Sequence, residues 1–409
     1  MTTTTPATIE KDGGTPPSGA PKRRLRLAVD VRQYGIFGAL VLIVVLFQIL
    51  TDGKLLLPAN INNLIQQNAY VLILAVGMII VIIAGHIDLS VGSVVAVVGA
   101  LTAIAIVHWG LPWWAAVFIG LLAGAVIGIW QGFWIAYVGI PAFIVTLAGM
   151  LLFRGLTLVL LTGGTINALP GEFVAIGKGA LPQWFGTVLG GHDPITLLVA
   201  LVVVGATIGS TIRTRKRRQT LGLPVEPRGS MIAKLVILAV GVLGFAWILS
   251  ANSGLPIILI ILAVLIMLFT FVLKKTVFGR HVYAIGGNRF AAEMSGVPVQ
   301  RVNFLIFVNM GVLAALAGIV TTARAGGAVA SAGNMYELDA IAAAFIGGAA
   351  VTGGIGTVVG AVVGAMIMGV LNMGLSILSV DSAWQQVIKG LVLLLAVAID
   401  VVGKRRGRR

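Results

Sequence analysis

The run AYVLILAVGMIIVIIAGHIDLSVGSVVAVVGAL, Ala69–Leu101, decides the architecture. Up to Ala84 it carries no charge; His86, Asp88 and Ser90 then interrupt it, and from Val91 the apolar text resumes. A helix needs about 20 apolar residues to cross the ~30 Å hydrocarbon layer, and a carboxylate at membrane depth costs about 3 kcal/mol on insertion scales. Two helices separated by a polar break are therefore expected, with Asp88 paired, solvated or used. Asp88 or Ser90 can cap the helix that starts near Val91 by accepting its free backbone N–H groups, or Asp88 can touch a solute. His86 can pair with Asp88, line a polar cavity, or simply be solvated.

The rest of the 409 residues has the same character: 58% are hydrophobic and 10% charged, and the mean hydropathy is +1.06. Soluble domains carry about 25% charged residues, so a soluble globular fold is excluded. An all-α polytopic membrane protein is expected, with spans at 34–50, 64–84, 91–108, 112–136, 141–161, 194–212, 231–250, 255–273, 302–321, 338–350, 357–378 and 384–402. The first 33 residues, rich in Thr, Pro, Gly and basic side chains, lack the apolar core of a signal peptide and are expected to be a disordered cytoplasmic tail. Residues 403–409 form a basic tail.

The net charge of +15 raises the question of nucleic acid. Five basic residues lie in each of Lys22–Arg32, Arg213–Arg218, Lys274–Arg301 and Lys404–Arg409. Placed on one side with Lys11, Arg228 and Lys234, they account for 23 of the 28. Lys and Arg resist translocation, so that side is cytoplasmic and holds both termini. Topology explains the charge, and no nucleic-acid partner is expected.

Gly120, Gly124, Gly128 and Gly132 line one helix face and Gly356, Gly360 and Gly364 another. Such seams let backbones approach where burying Leu gains little over lipid; they serve packing within the chain or between two copies. A second break, VTGGIGT at Val351–Thr357, contains Gly353 and Gly354, and GTVVGAVVGAM after it resembles GSVVAVVGAL from Gly92. A diverged internal repeat with discontinuous helices meeting in the membrane is expected.

Glu337 and Asp339 open another apolar run, where they suit the positive end of a helix. Arg154 lies inside a span and faces the protein interior or snorkels, and Lys389, near a span end, is expected to snorkel. No catalytic residues, metal set or GxxxxGK[ST] phosphate loop is present, and there is no Cys. The chain is expected to bind no cofactor, so energy must come from a gradient or a partner.

The loop 274–301 carries one further signal. Asn288 is placed to N-cap a short helix, NRFAAEMSG, that Gly296 ends and Pro298 stops. Phe290, Ala291, Met294 and Val297 give it an apolar stripe, suited to a groove on another protein or to the membrane surface.

IDLSVGS at 87–93, PAFIVTLAGMLLFRG at 141–155, FGRHVYAIGGNRFAAEMSGV at 278–297 and AGNMYELDAIAAAFIGG at 332–348 resemble the permease subunits of bacterial ABC importers for monosaccharides. The resemblance runs from about residue 36 to 402; the long middle region, with spans and a basic loop at 194–254 added to a ten-helix core, is similar to the D-xylose branch. It implies a homodimer in the bacterial inner membrane, with ATP used by separate ABC ATPase subunits and solute delivered by an extracytoplasmic sugar-binding protein. By motif, Gly287, Asn288, Phe290, Ala291, Ala292, Glu293, Met294 and Gly296 would form the coupling helix on the ATPase. Relatives have Gly or Glu where this chain has His86. The expected pathway and helix-break residues are His86, Asp88, Ser90, Arg154, Glu337, Asp339, Gly353 and Gly354. The alternatives are an ion-driven secondary transporter using Asp88 and His86, and a branched-chain amino acid ABC permease.

Overall fold

The computed structural model describes residues 31–406 apart from 163, 189 and 253. The expected tail at 1–33 lies, up to residue 30, outside the described residues, as do the last three residues of the basic tail. In chain order the helices are α1 (Val31–Leu50), α2 (Pro58–Gln67), α3 (Ala69–Ile83), α4 (Val91–Val107), α5 (Trp113–Phe133, extended by a π turn at Trp134–Val138), α6 (Ala142–Leu161), α7 (Gly171–Lys178), α8 (Pro194–Thr220) and α9 (Arg228–Ser250). Then follow α10 (Ile257–Lys275), α11 (Val277–Gly287), α12 (Arg289–Met294), α13 (Val299–Ala325), α14 (Tyr336–Ile346), α15 (Val358–Ile377) and α16 (Ser382–Arg406). Proline sits at the N-cap of α5, α6, α7, α9, α10 and α13. It costs nothing there, because a helix start leaves N–H groups unbonded anyway.

The molecule is an all-α polytopic membrane protein. Among the described residues seven helices are long and apolar enough to cross a membrane alone: α5, α6, α8, α9, α10, α13 and α15. α2 and α3 make one further span, bent by 43° at Asn68, whose side-chain amide donates to the Leu64 carbonyl at 2.9 Å. Each of the twelve expected spans coincides with a helix, but those expected at 34–50, 91–108 and 384–402 fall on shorter apolar stretches of 10–17 residues, and the one expected at 338–350 is corrected in kind. α14 has 11 residues, about 16 Å at 1.5 Å per residue, roughly half the hydrocarbon thickness. It is a half-helix.

α3 is the centre. All of its residues are buried, as an all-round apolar helix requires, and lipid-like surroundings leave packing to dispersion and close fit. Truncating Ile79 or Ile80 to Ala there would cost about 2–5 kcal/mol. Both glycine seams are used inside the chain. A Cβ on Gly128 would come within 2.6 Å of the Phe307 carbonyl oxygen and 2.7 Å of Val308 Cα, so α5 lies directly on α13. Gly360 and Gly364 meet the Gly347 and Ala343 carbonyls, so α15 lies on α14 in the same way.

The inserted spans at 194–254 form a hairpin at the edge. Asp193 caps α8, accepting from the Thr196 N–H at 2.9 Å, and most side chains of α8 and α9 face outward. A pairing absent from the sequence reading joins β1 (Thr165–Ile166) to β2 (Ala328–Val329) antiparallel, tying the chain after α6 to the chain after α13.

Candidate functional site

α3 and α14 run side by side in the same direction. At their starts the Tyr70 and Tyr336 rings stack with centroids 3.5 Å apart; past their ends the Gly354 N–H donates to the Ile83 carbonyl at 2.8 Å. The two breaks, 84–90 and 347–357, therefore meet. Gly353 and Gly354 hold φ of +79° and +75°, which glycine adopts without steric cost, and a Cβ on Gly353 would lie 3.2 Å from Gly85 Cα. α11 presses on the same point, because a Cβ on Gly286 would overlap the Ile83 carbonyl. The repeat positions differ in role. Thr357 caps α15 through the Gly360 N–H at 3.0 Å, whereas Ser93 lies inside α4 with its hydroxyl buried and no hydrogen-bond partner among the described residues.

Asp88 is buried and turned onto its own break. Its Oδ1 accepts the Ser90 N–H at 2.8 Å and the Ser90 hydroxyl at 2.6 Å, and Ser90 Oγ accepts the Gln131 side-chain amide from α5 at 2.7 Å. Thr146 of α6 donates to the Ile87 carbonyl at 3.4 Å. Asp88 thus serves the N–H just ahead of α4. Ser90 makes no side-chain cap bond, contrary to one expectation. His86 does not bond Asp88 either; its ring leans on Phe307 of α13, centroids 5.8 Å apart. Gln131 and Thr146 were not singled out from the sequence. For Gln131 a signal existed, since it stands three residues after Gly128 and seven after Gly124, on the face that α5 buries.

Arg154 faces inward. Its Nη1 donates to the Ala332 carbonyl at 2.7 Å and the Ala330 carbonyl at 3.3 Å, fixing the segment that leads into α14. That segment lays Gly333 on the first turn of α4, where a Cβ on Gly92 would overlap both the Gly333 carbonyl and Glu337 Oε2. Glu337 is within electrostatic reach of Arg154, Asp339 and Asp88, so one cation and three acids lie near where α4 and α14 begin. Asp339 faces another way, accepting the Tyr70 hydroxyl at 2.7 Å and pairing with Lys389 at 3.2 Å. Glu337 and Asp339 both lie in the first turn of α14, as expected, and its N-cap is Met335, with no side-chain cap bond. One expectation is corrected here: Lys389 holds an ion pair in place of snorkelling.

In the loop 274–301, Asn288 Oδ1 accepts the Ala291 N–H at 3.0 Å, α12 follows, and Gly296 ends it at φ +82°. Ala292 turns inward, while Phe290 and Met294 are each 74% exposed. Gly287, Ala291, Glu293 and Gly296 are also at the surface or lining its edge.

The family model described as branched-chain amino acid transport system / permease component matches residues 60–397. The xylose transport system permease protein XylH of Haemophilus influenzae is 42% identical over 93% of this chain and 98% of its own length. XylH of Escherichia coli K12 is 40% identical over 93% and 94%, and the ribose import permease protein RbsC of Bacillus subtilis is 37% identical over 93% and 96%. No solved structure matches. With that agreement along nearly its whole length, the chain belongs to the family of branched-chain amino acid transport system / permease components.

Proposed function

We propose that this chain is the membrane-spanning subunit of an ABC importer for a monosaccharide, D-xylose first among the candidates. The observation that carries the reading is the 40–42% identity along 93% of the chain to permeases named for xylose transport. In this reading two copies form the pathway in the bacterial inner membrane, both termini are cytoplasmic, and an extracytoplasmic binding protein delivers the sugar. ATP binds to partner ATPases and this chain holds no cofactor.

The geometry supplies a route for the work. Exposed Phe290 and Met294 on α12 offer an apolar contact to an ATPase groove, and α11, directly before α12, touches both helix breaks at Gly286. Movement of the α11–α12 unit is thereby delivered to the ends of α3 and α14, and from them to Asp88, Arg154 and Glu337 at the starts of α4 and α14. Displacing packed half-helices switches the accessible side without unfolding a crossing.

Uptake in membrane vesicles carrying this chain, its ATPase and its binding protein tests the reading. D-xylose import that survives an uncoupler and stops without the ATPase is expected. Uptake abolished by the uncoupler alone would favour the ion-driven alternative, and leucine import without xylose import would favour the amino acid reading that the family description names.

A further inference from the structure

Residues 210–234, where α8 ends and α9 begins, hold seven Lys and Arg against one acid, Glu226. An anionic leaflet attracts any such run. Here the side chains do more than point at the leaflet. A cavity of about 240 Å³ opens between the two helix ends, bounded by Ser210, Thr214, Arg215, Arg218, Glu226 and Met231. That is several times the ~30 Å³ a water molecule occupies.

The acid in the wall is already neutralised. Its carboxylate lies 2.6 Å from Lys234 Nζ and accepts the Ser230 hydroxyl, and the Lys234 hydrogen bond holds the Glu226 carboxyl below the usual range. Arg215 is fixed in place, donating Nη1 to the Glu226 backbone carbonyl, with Met231 Sδ at 3.9 Å from the same nitrogen. Arg218 stands one turn on along the same face of α8, and among the described residues neither its side chain nor that of Thr214 is engaged in a hydrogen bond. The wall thus keeps two guanidinium charges, one of them pre-positioned. On the two helices Ile212, Ile232, Val236 and Ile237 are 40%, 55%, 53% and 73% exposed, with Ile232 and Val236 one turn apart on the same face of α9.

We propose that this cavity binds the phosphate headgroup of an anionic phospholipid, with Arg215 and Arg218 as paired donors, the Thr214 hydroxyl as a third, and the acyl chains along Ile232, Val236 and Ile237. A guanidinium pair suits a phosphate because each presents parallel N–H groups to its oxygens. A lipid seated there would hold together a hairpin that packs little against the rest of the chain.

The full chain, purified in mild detergent, is titrated with cardiolipin and retention is read by native mass spectrometry, with phosphatidylcholine as the neutral comparator. Arg215→Gln/Arg218→Gln is expected to weaken cardiolipin retention by about thirtyfold, through loss of the charge-assisted hydrogen bonds to the phosphate. Arg213→Gln/Arg217→Gln, which removes the same charge outside the cavity, is expected to change it by less than about threefold, because exposed charges that make no direct contact are screened and contribute little. Equal losses in the two double variants would reduce the effect to general attraction and overturn the proposal, as would equal retention of phosphatidylcholine. Displacement of cardiolipin by millimolar inorganic phosphate would assign the cavity to the free anion instead. Arg213, Arg217 and Arg218 are exposed and Arg215 is half-buried in the last turns of α8, and matching gel-filtration profiles verify that each variant is folded.

Discussion

Lys389 of α16 brings its ammonium to 3.2 Å from the carboxylate of Asp339 on α14, the same carboxylate that accepts the Tyr70 hydroxyl of α3 at 2.7 Å. One acid therefore joins the C-terminal span, the half-helix and the central helix. Asp339 is 2% exposed and Lys389 22%. Removing only the cation strands a buried carboxylate, whereas removing both charges together does not. Lys389→Met is expected to destabilise the protein by about 3 kcal/mol, the low end for a buried pair because the lysine is partly exposed. Asp339→Asn/Lys389→Met should recover most of that loss. Thermal midpoints of the two variants in detergent check this, and equal midpoints would mean that the pair does not hold α16 to α14.

Gly286 and Gly287 are neighbours with opposite surroundings. A Cβ on Gly286 would overlap the Ile83 carbonyl, while one on Gly287 meets nothing within 4 Å. Gly286→Ala should push α11 off the helix breaks at about 1–3 kcal/mol of overpacking and lower sugar uptake about tenfold or more. Gly287→Ala should leave uptake within about twofold, consistent with the small effects of uncrowded surface changes. Vesicle uptake at matched expression separates the two.

Phe290 and Met294 support no part of the fold that the structure describes. Phe290→Ser/Met294→Ser should leave the melting midpoint unchanged, since exposed changes stay within about 0.5 kcal/mol. It should still weaken co-purification of the ATPase by about tenfold or more, the loss typical of a buried aromatic anchor at an interface. Undiminished co-purification would remove α12 from the coupling surface.

Arg154 satisfies two backbone carbonyls with one guanidinium nitrogen. Arg154→Ala leaves the half-buried Ala330 and Ala332 carbonyls without that donor, at about 1 kcal/mol, the low end for an unsatisfied acceptor because water can reach it in part. The 327–335 segment should loosen from α4. Faster protease cleavage within 327–335, with membrane insertion intact and uptake reduced, is the expected pattern, and Arg154→Lys should fall between the two.

Much of this was legible because it depends on local properties. Apolar length alone gave the positions of the helices, since the thickness of the hydrocarbon layer sets the scale. The cap and stop at Asn288 and Gly296 could be read from side-chain and backbone chemistry within one turn, and the break at 84–90 from a carboxylate that an apolar helix cannot carry freely. The length of α14 was less legible: the apolar text runs on to Ala350, but the helix stops at Ile346, where Gly347 caps it and Gly348 takes a φ of +89°.

The sequence by itself determined that this chain is a bundle of apolar helices with two glycine seams, two interruptions and an outward-facing loop helix, each a consequence of neighbouring residues. Only the tertiary structure decided that the interruptions touch through Ile83 and Gly354, that Lys389 belongs to Asp339, and that Arg154 holds the approach to α14. These are meetings between residues tens to hundreds of positions apart. Their partners are chosen by how the helices pack, and a carboxylate carries no local mark saying which distant cation will reach it.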